Sequence, residues 1–188
     1  TVGQPRGGTE FRVLDDMGND LPRGEVGELV GRGPCCVNGY IGTEGSERWR
    51  DGWFHTGDLA HLDEHDNVVI VGRLKEVIVR GGDKVSPAEV EALLRTHPDI
   101  VQVAVIGVPD PMLGERVCAC IVVGKAGRAP ALEDLLKHLS SQGLARYKVP
   151  ERLLVLELLP VIGDKIDRRA LAEITAKEVA LRYRSQAP

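Results

Sequence analysis

Four short stretches of this 188-residue chain carry residues whose types and spacing suit chemistry on a phosphorylated, sugar-bearing ligand. In WFHTGDLAHL, Thr56, Gly57 and Asp58 interrupt apolar residues, so the backbone turns there and presents a carboxylate. A carboxylate accepts from two vicinal hydroxyls at once, which is how a protein grips a ribose; the competing reading is an aspartate that caps its own turn. Arg73 follows beyond the turn signal DEHDN, and an antiparallel return brings it near Asp58. There a guanidinium satisfies a ribose oxygen or a phosphate with two parallel bonds, or else forms an ordinary salt bridge at a domain edge. Gly81 and Gly82, in VRGGDKVSPAEVE, either permit a left-handed turn that lets a thin ligand pass close to the backbone or make a plain strand-to-helix connection. Their spacing fits neither GxxxxGK[ST] nor GxGxxG. Lys165, in GDKIDRRAL, lies on a loop entering the last helix. A lysine so placed can be brought to a phosphate or carboxylate to stabilise developing negative charge. The alternative is a solvated lysine neutralised by Asp164.

Other chemistries find little support. No Gly-flanked nucleophile elbow is present for a Ser-His-Asp arrangement. His55, beside Thr56 and Asp58, reads as a partly buried, hydrogen-bonded histidine, and Asp63, Glu64 and Asp66 as a solvated hairpin tip. The four cysteines occur as Cys35-Cys36 and Cys118-Ala119-Cys120, without the two-residue spacer of a redox or zinc pair. No HExxH or Cys/His grouping occurs, so no metal site is assigned. A formal charge of −4, with 24 Lys plus Arg scattered among 28 Asp plus Glu and only 4% aromatic residues, gives no footprint for nucleic acid. No apolar run approaches the roughly 18 residues of a membrane span, and the start TVGQPRGGTE resembles no export signal, so the expectation is a cytoplasmic protein. That start also lacks Met and begins in mid-phrase, as a piece of a longer chain would.

The elements that must position these residues divide in two. From Thr1 to about Gly72, short apolar runs are separated by turn signals at DMGND, LPRGE and DEHDN, which predicts a small, mostly β unit with no ordinary helix. The boundary falls near Gly72 to Lys75. Beyond it, Ser86-Pro87-Ala88-Glu89 has the N-cap, first-turn proline and capping-box glutamate of a helix start, with Val90, Leu93 and Leu94 as its apolar stripe. IVQVAVIGVPD reads as strand and turn, and RVCACIVVG as a strand with Cys118 and Cys120 on one face. ALEDLLKHLSSQG is an amphipathic helix through Leu132, Leu135, Leu136 and Leu139, and ERLLVLELLP a third strand. DRRALAEITAKEVALRYRS is a terminal helix with Leu171, Ile174 and Leu181 inward. Strands alternating with helices make this half a compact α+β domain.

Taken in order, FHTGDLAHLDEHDNVVIVGRLKEVIVRGGDKVSPAEVEALL followed at a distance by LPVIGDKIDRRAL resembles the adenylate-forming superfamily of acyl- and aryl-CoA synthetases, peptide-synthetase adenylation domains and luciferases. The resemblance covers essentially the whole chain, and LVGRGPCCVNGY agrees with the stretch preceding TGD. VGELVGRGP, MLGERVCACIVV and GLARYKVPERL point further to the stand-alone ligases that activate 2,3-dihydroxybenzoate or salicylate in siderophore pathways. The resemblance implies an α+β fold: a distorted β-barrel remnant of the large N-terminal domain over residues 1–73, then a small mobile C-terminal domain over 74–188. It implies ATP and Mg2+, the latter bound mainly by the missing N-terminal domain, and a two-step reaction. A carboxylic acid becomes an acyl-adenylate, and a thiol of coenzyme A or of a phosphopantetheine on an aryl or peptidyl carrier protein then takes the acyl group. Asp58 would hold the ribose hydroxyls and Arg73 the same nucleotide; Lys75 would be the hinge, Gly81 and Gly82 would line the thiol channel, and Lys165 would approach the reacting phosphate. Here the lysine loop reads one residue shorter than the family's, with Asp164 where glycine precedes the lysine, which predicts a weaker adenylation step. The resemblance also implies that these residues alone do not complete the reaction. Its alternatives are an acyl-CoA synthetase or peptide-synthetase adenylation domain for another acid and, in a different class, a non-catalytic module that docks a carrier protein.

Overall fold

The computed structural model describes residues 1–37, 46–124 and 129–185, with side chains in the last helix to residue 178. The end of the LVGRGPCCVNGY stretch and the Leu181 side chain lie outside the described residues. The chain forms two compact units, Thr1–Lys75 and Glu76–Pro188, and no described helix is long and apolar enough to cross a membrane.

The first unit is a curled, half-open antiparallel sheet of β1 (Glu10–Leu14), β2 (Gly27–Arg32), β3 (Trp49–Arg50), β4 (Trp53–Leu62) and β5 (Val68–Arg73). β2 lies between β1 and β4, while β3 and β5 share the other edge of β4. Alternation divides its apolar residues: Val13, Leu29, Ala60 and Val68 form one cluster, and Leu14, Val30 and Trp53 another. Two connections use the same clasp. Asp15 Oδ1 accepts the backbone N–H of Asn19, and Asp63 Oδ1 that of Asn67, each at 2.8–2.9 Å. Such side-chain turns fix loop length and thereby the register of the strands they join. DEHDN is accordingly the tight connection from β4 to β5, with Asp66 at its exposed tip paired to Arg23.

The second unit is built on a long hairpin, β8 (Ile100–Asp110) with β9 (Gly114–Val123), and β10 (Arg152–Val155) runs parallel to β9 on its other side. A short hairpin, β6 (Ile78–Arg80) and β7 (Asp83–Val85), joins through the Arg80 to Gly114 pair. α1 (Pro87–Leu94) and α2 (Leu132–Ser141) cover one face, where Val90, Leu94, Leu135 and Leu139 meet Val103, Val105, Ala119 and Ile121. The opposite face carries Ala104, Ile106, Cys118 and Cys120 and is covered through Leu171 by α3 (Arg168–Ser185). Cys118 and Cys120 thus share a buried face, as period-two alternation requires. A third hairpin, β11 (Val161–Ile162) with β12 (Lys165–Ile166), precedes α3.

Three local expectations are corrected. The capping box before α1 does not form: Ser86 makes no side-chain cap bond, and Glu89 pairs instead with Lys148 at 2.7 Å. Pro87 at the first helical position suffices to start the helix, since its fixed φ is already helical. The segment IVQVAVIGVPD is strand to its end, because Pro109 pairs with Glu115 at the hairpin's last rungs. Gly81 and Gly82 are followed by β7 before the helix begins, so the strand-to-helix reading fails.

Candidate functional site

The TGD residues form a bulge. On β2 the partners Glu28 and Val30 face Leu59 and His55, so Thr56, Gly57 and Asp58 together oppose Leu29 alone. Gly57 has φ 71°, in the left-handed region that favours glycine. Thr56 Oγ1 donates to the Leu29 carbonyl at 2.7 Å and accepts the Asp58 N–H at 3.0 Å, while Glu28 Oε1 accepts the Gly57 N–H at 3.3 Å. The other Glu28 oxygen lies 2.8 Å from His55 Nδ1, so His55 is the part-buried, bonded histidine expected of it. The bulge is therefore held from three sides before any ligand arrives.

On the other edge of β4, Asp58 is the direct partner of Arg73, and Arg73 Nε lies 2.7 Å from Asp58 Oδ1. The side chain of Asp58 is 22% exposed and that of Arg73 52%, so the carboxylate is backed by protein while the guanidinium reaches into solvent. The antiparallel return read from DEHDN does bring these two together. Lys75 is exposed, in a 3-10 turn spanning Leu74–Glu76 that continues from β5.

Gly81 and Gly82 are the two-residue tip of the β6–β7 hairpin, at φ 58° and 94°. Positive φ at both central positions is the turn whose twist matches its strands, and two glycines take it without strain. A Cβ on Gly81 would stand 3.3 Å from Leu113, and the Gly81 N–H donates to the Leu113 carbonyl at 2.8 Å, so this tip rests on the β8–β9 turn. An ion-pair network fixes its base: Arg80 and Arg116 both bind Glu151, at 2.8 and 2.7 Å, and Arg116 also binds Asp110. The Arg116 guanidinium holds the Asp110 carboxyl down at about 2 against the opposing effect of burial, with the Leu113 and Met112 N–H groups assisting.

Lys165 follows another two-residue turn. Ile162 pairs with Lys165 across Gly163 and Asp164, and Gly163, at φ 62°, takes the first loop position. Lys165 and Asp164 are both exposed and form no ion pair with each other, so mutual neutralisation is not what Asp164 provides. The base of this hairpin is fixed: the Asp167 N–H donates to the Pro160 carbonyl at 2.8 Å, Leu159 is buried, and Asp167 Oδ1 caps the Arg169 and Ala170 N–H groups at the start of α3. The Lys165 ammonium thus stands on a short, anchored arm.

Sequence reasoning missed the residues behind these groups. Glu28 was hidden in GELVGR as one polar position of a strand. Glu91, only 4% exposed, accepts the Val105 N–H at 2.9 Å and Arg168 Nη2 at 2.8 Å through the same oxygen. Arg168 Nη1 in turn donates to the Val105 carbonyl at 2.8 Å. Together the pair closes on both polar groups of one residue of β8, as a neighbouring strand would, and so blocks that edge. The signal available was Glu91 interrupting the apolar stripe of α1. Among the described residues no three of His, Cys, Asp and Glu group to hold a metal ion.

Residues 89–163 match the AMP-binding enzyme C-terminal domain. The chain is 44% identical to triostin synthetase I of Streptomyces triostinicus over 89% of its own length and 33% of that protein's. It is 42% identical to a salicylyl-CoA synthase / salicylate adenylyltransferase of a Streptomyces species (88% and 30%), and 39% to the oxalate–CoA ligase of Arabidopsis thaliana (92% and 34%). Among solved structures, ATP-bound MatB of Rhodopseudomonas palustris superposes with a TM-score of 0.84 at 35% identity, over 93% of this chain and 35% of that one. The chain spans about a third of the length of the curated relatives it matches. Relatives named for oxalate and for salicylate match at nearly the same level, so the resemblance to aryl-acid ligases is not singled out.

Proposed function

We propose that this chain, which belongs to the adenylate-forming superfamily through an AMP-binding enzyme C-terminal domain at residues 89–163, is the C-terminal part of an ATP-dependent acid–thiol ligase. The observation that carries the proposal is the Asp58 carboxylate, set out on a prebuilt bulge and paired at 2.7 Å with Arg73. Two acceptor oxygens and a forked donor at one spot suit a ribose diol and a neighbouring phosphate. ATP-bound relatives of the same fold support ATP as the nucleotide.

In the first half-reaction a carboxylate oxygen of the acid attacks the α-phosphorus of ATP, and pyrophosphate departs with the electron pair of the broken P–O bond. Asp58 holds the ribose hydroxyls, Arg73 the same nucleotide, and Lys165 places its ammonium against the charge that builds on phosphate and carboxylate. In the second, a thiol sulfur attacks the acyl carbon and gives up its proton to solvent, and the acyl C–O bond breaks so that AMP departs with its electron pair. Gly81 and Gly82 suit the passage of a thin pantetheine arm because no side chain projects from that tip. Lys75 serves as the hinge between the two steps, which lets the lysine be present for one and absent for the other. No step here is assigned to a metal.

The relatives favour an acid–CoA ligase or an adenylation domain for some other acid over a dedicated siderophore enzyme. An aryl acid handed to a carrier-protein phosphopantetheine is the second reading, favoured by the 42% identity to the salicylate-activating relative. The test is pyrophosphate exchange by the complete enzyme across aryl and aliphatic acids, followed by coenzyme A and carrier protein as acceptors. Exchange with at least one acid, lost in Asp58→Ala, is expected; exchange that survives Asp58→Ala overturns the assignment.

A further inference from the structure

Resting on that reading of Lys165 and Lys75, we infer that Arg168 is a positioning residue that ties the lysine hairpin to the hinge end of the second unit. Arg168 opens α3, three residues after Lys165, and its guanidinium uses all three nitrogens. Nη1 binds the Val105 carbonyl and Nη2 the Glu91 carboxylate, both at 2.8 Å, and Nε lies 3.2 Å from Glu76 Oε2. Glu76 is the residue after Lys75 and the first of the second unit. A path of one peptide bond, one ion pair and three residues thus joins the hinge position to the reactive ammonium, although 90 residues of sequence separate them.

The surroundings make this link stiff. Glu91 is buried and also bound by Arg95 at 3.0 Å, and Val105 lies mid-strand in the most extended hairpin of the unit. The capping bonds from Asp167 and the Asp167 to Pro160 bond hold the hairpin base to the same helix end. Leu74 and Lys75 are both exposed. Rotation about Lys75 therefore carries Glu76, Arg168 and Lys165 as one body, and the lysine arrives in a defined orientation. A lysine at position 168 would keep the charge but lose the fork, since one ammonium cannot span three partners set around a planar group.

The experiment has two arms. In the 188-residue chain, amide hydrogen exchange is followed in wild type, Arg168→Lys and Glu76→Ala. Faster exchange by at least tenfold is expected at the Asp167 N–H and in residues 161–166, with β1 and β2 unchanged; unchanged exchange at the hairpin in both variants overturns the link. Glu76→Ala removes only the partly exposed partner and serves where Arg168→Lys fails to fold. In the complete enzyme, both variants are expected to lower kcat of pyrophosphate exchange tenfold or more with KM for ATP unchanged, while thioester formation from supplied acyl-adenylate stays within twofold. Equal loss in both half-reactions marks a merely structural role and overturns the inference. Wild-type enzyme that exchanges pyrophosphate with no acid defeats the functional reading instead, and the exchange arm then decides the link by itself.

Discussion

Replacing Gly57 by alanine separates the cost of bending the chain from the cost of misplacing the carboxylate. Gly57 sits at φ 71° with nothing within 4 Å of where its Cβ would stand, so the penalty is conformational rather than steric. A left-handed conformation costs an L-residue about 1–2 kcal/mol. In a domain the size of the first unit, each 1 kcal/mol lowers Tm by roughly 4–8 °C. Gly52 supplies the control: its φ is 79°, its Cβ site is equally open, and it turns β3 into β4 away from the bulge. Gly52→Ala and Gly57→Ala should therefore destabilise the unit alike in thermal unfolding. Only in Gly57→Ala does the strained peptide carry Asp58, so its tilt, taken up within the bonds from Gly57 N–H to Glu28 and from Asp58 N–H to Thr56, re-aims the carboxylate. A hydrogen bond from a ribose hydroxyl to the charged Asp58 carboxylate is worth about 1.5–3 kcal/mol, so its loss in Gly57→Ala should weaken ATP affinity of the complete enzyme about 10- to 150-fold, with no change in Gly52→Ala. Equal nucleotide affinity in the two variants, at equal loss of Tm, refutes the bulge as the device that aims Asp58.

Two further outcomes follow from the second unit. Asp164→Gly removes an exposed carboxylate beside Lys165 without breaking any ion pair, so pyrophosphate exchange should rise about 1.5- to 5-fold, in line with the 0.2–1 kcal/mol of an exposed charge interaction; an unchanged or lower rate contradicts the role given to Asp164. Because the Arg116 bond depresses Asp110 from 3.8 to about 2, its stabilising contribution is complete above pH 3.8 and disappears as pH falls through about 2. Acid unfolding followed between pH 4 and 2 should lose part of its slope in Asp110→Asn, and a slope identical to wild type shows that this network does not report there.

How much of this was readable from sequence depended on how far each group is from its partner. Asp58 and Arg73 were legible as neighbours because DEHDN closes the turn between their strands through the Asp63 to Asn67 clasp, and the register follows from that local bond. The two-faced strand holding Cys118 and Cys120 and the leucine stripe of α2 followed from periodicity. The β6–β7 hairpin was hidden because its second strand, Asp83–Val85, is too short to show any period before Pro87 starts a helix. Ser86 and Glu89 matched a capping motif that the structure does not form, since Lys148, distant in sequence, competes successfully for the glutamate. Glu91 and Arg168 were out of reach for the same reason: their pairing spans 77 positions, and each looks like one charge among others on a helix.

The residues to which the proposed reaction gives roles, and the residues that support them, thus obey different rules of legibility. Asp58, Gly81, Gly82 and Lys165 all sit at or beside a bulge or a two-residue turn, where a glycine with positive φ fixes the backbone. That chemistry is local, so short motifs announce it. What directs each group is the stiffness beneath it: Glu28 under the bulge, Glu151 with Arg80 and Arg116 under the glycine tip, and Glu91 with Arg168 under the lysine arm. In each case a carboxylate from another strand, helix or loop binds a backbone N–H or a guanidinium, and an acceptor that is part-buried loses more when its donor is removed than an exposed pair does. Substitution of these three carboxylates should therefore impair a step selectively while leaving every motif residue in place, a pattern that motif reading by itself would assign to no site at all.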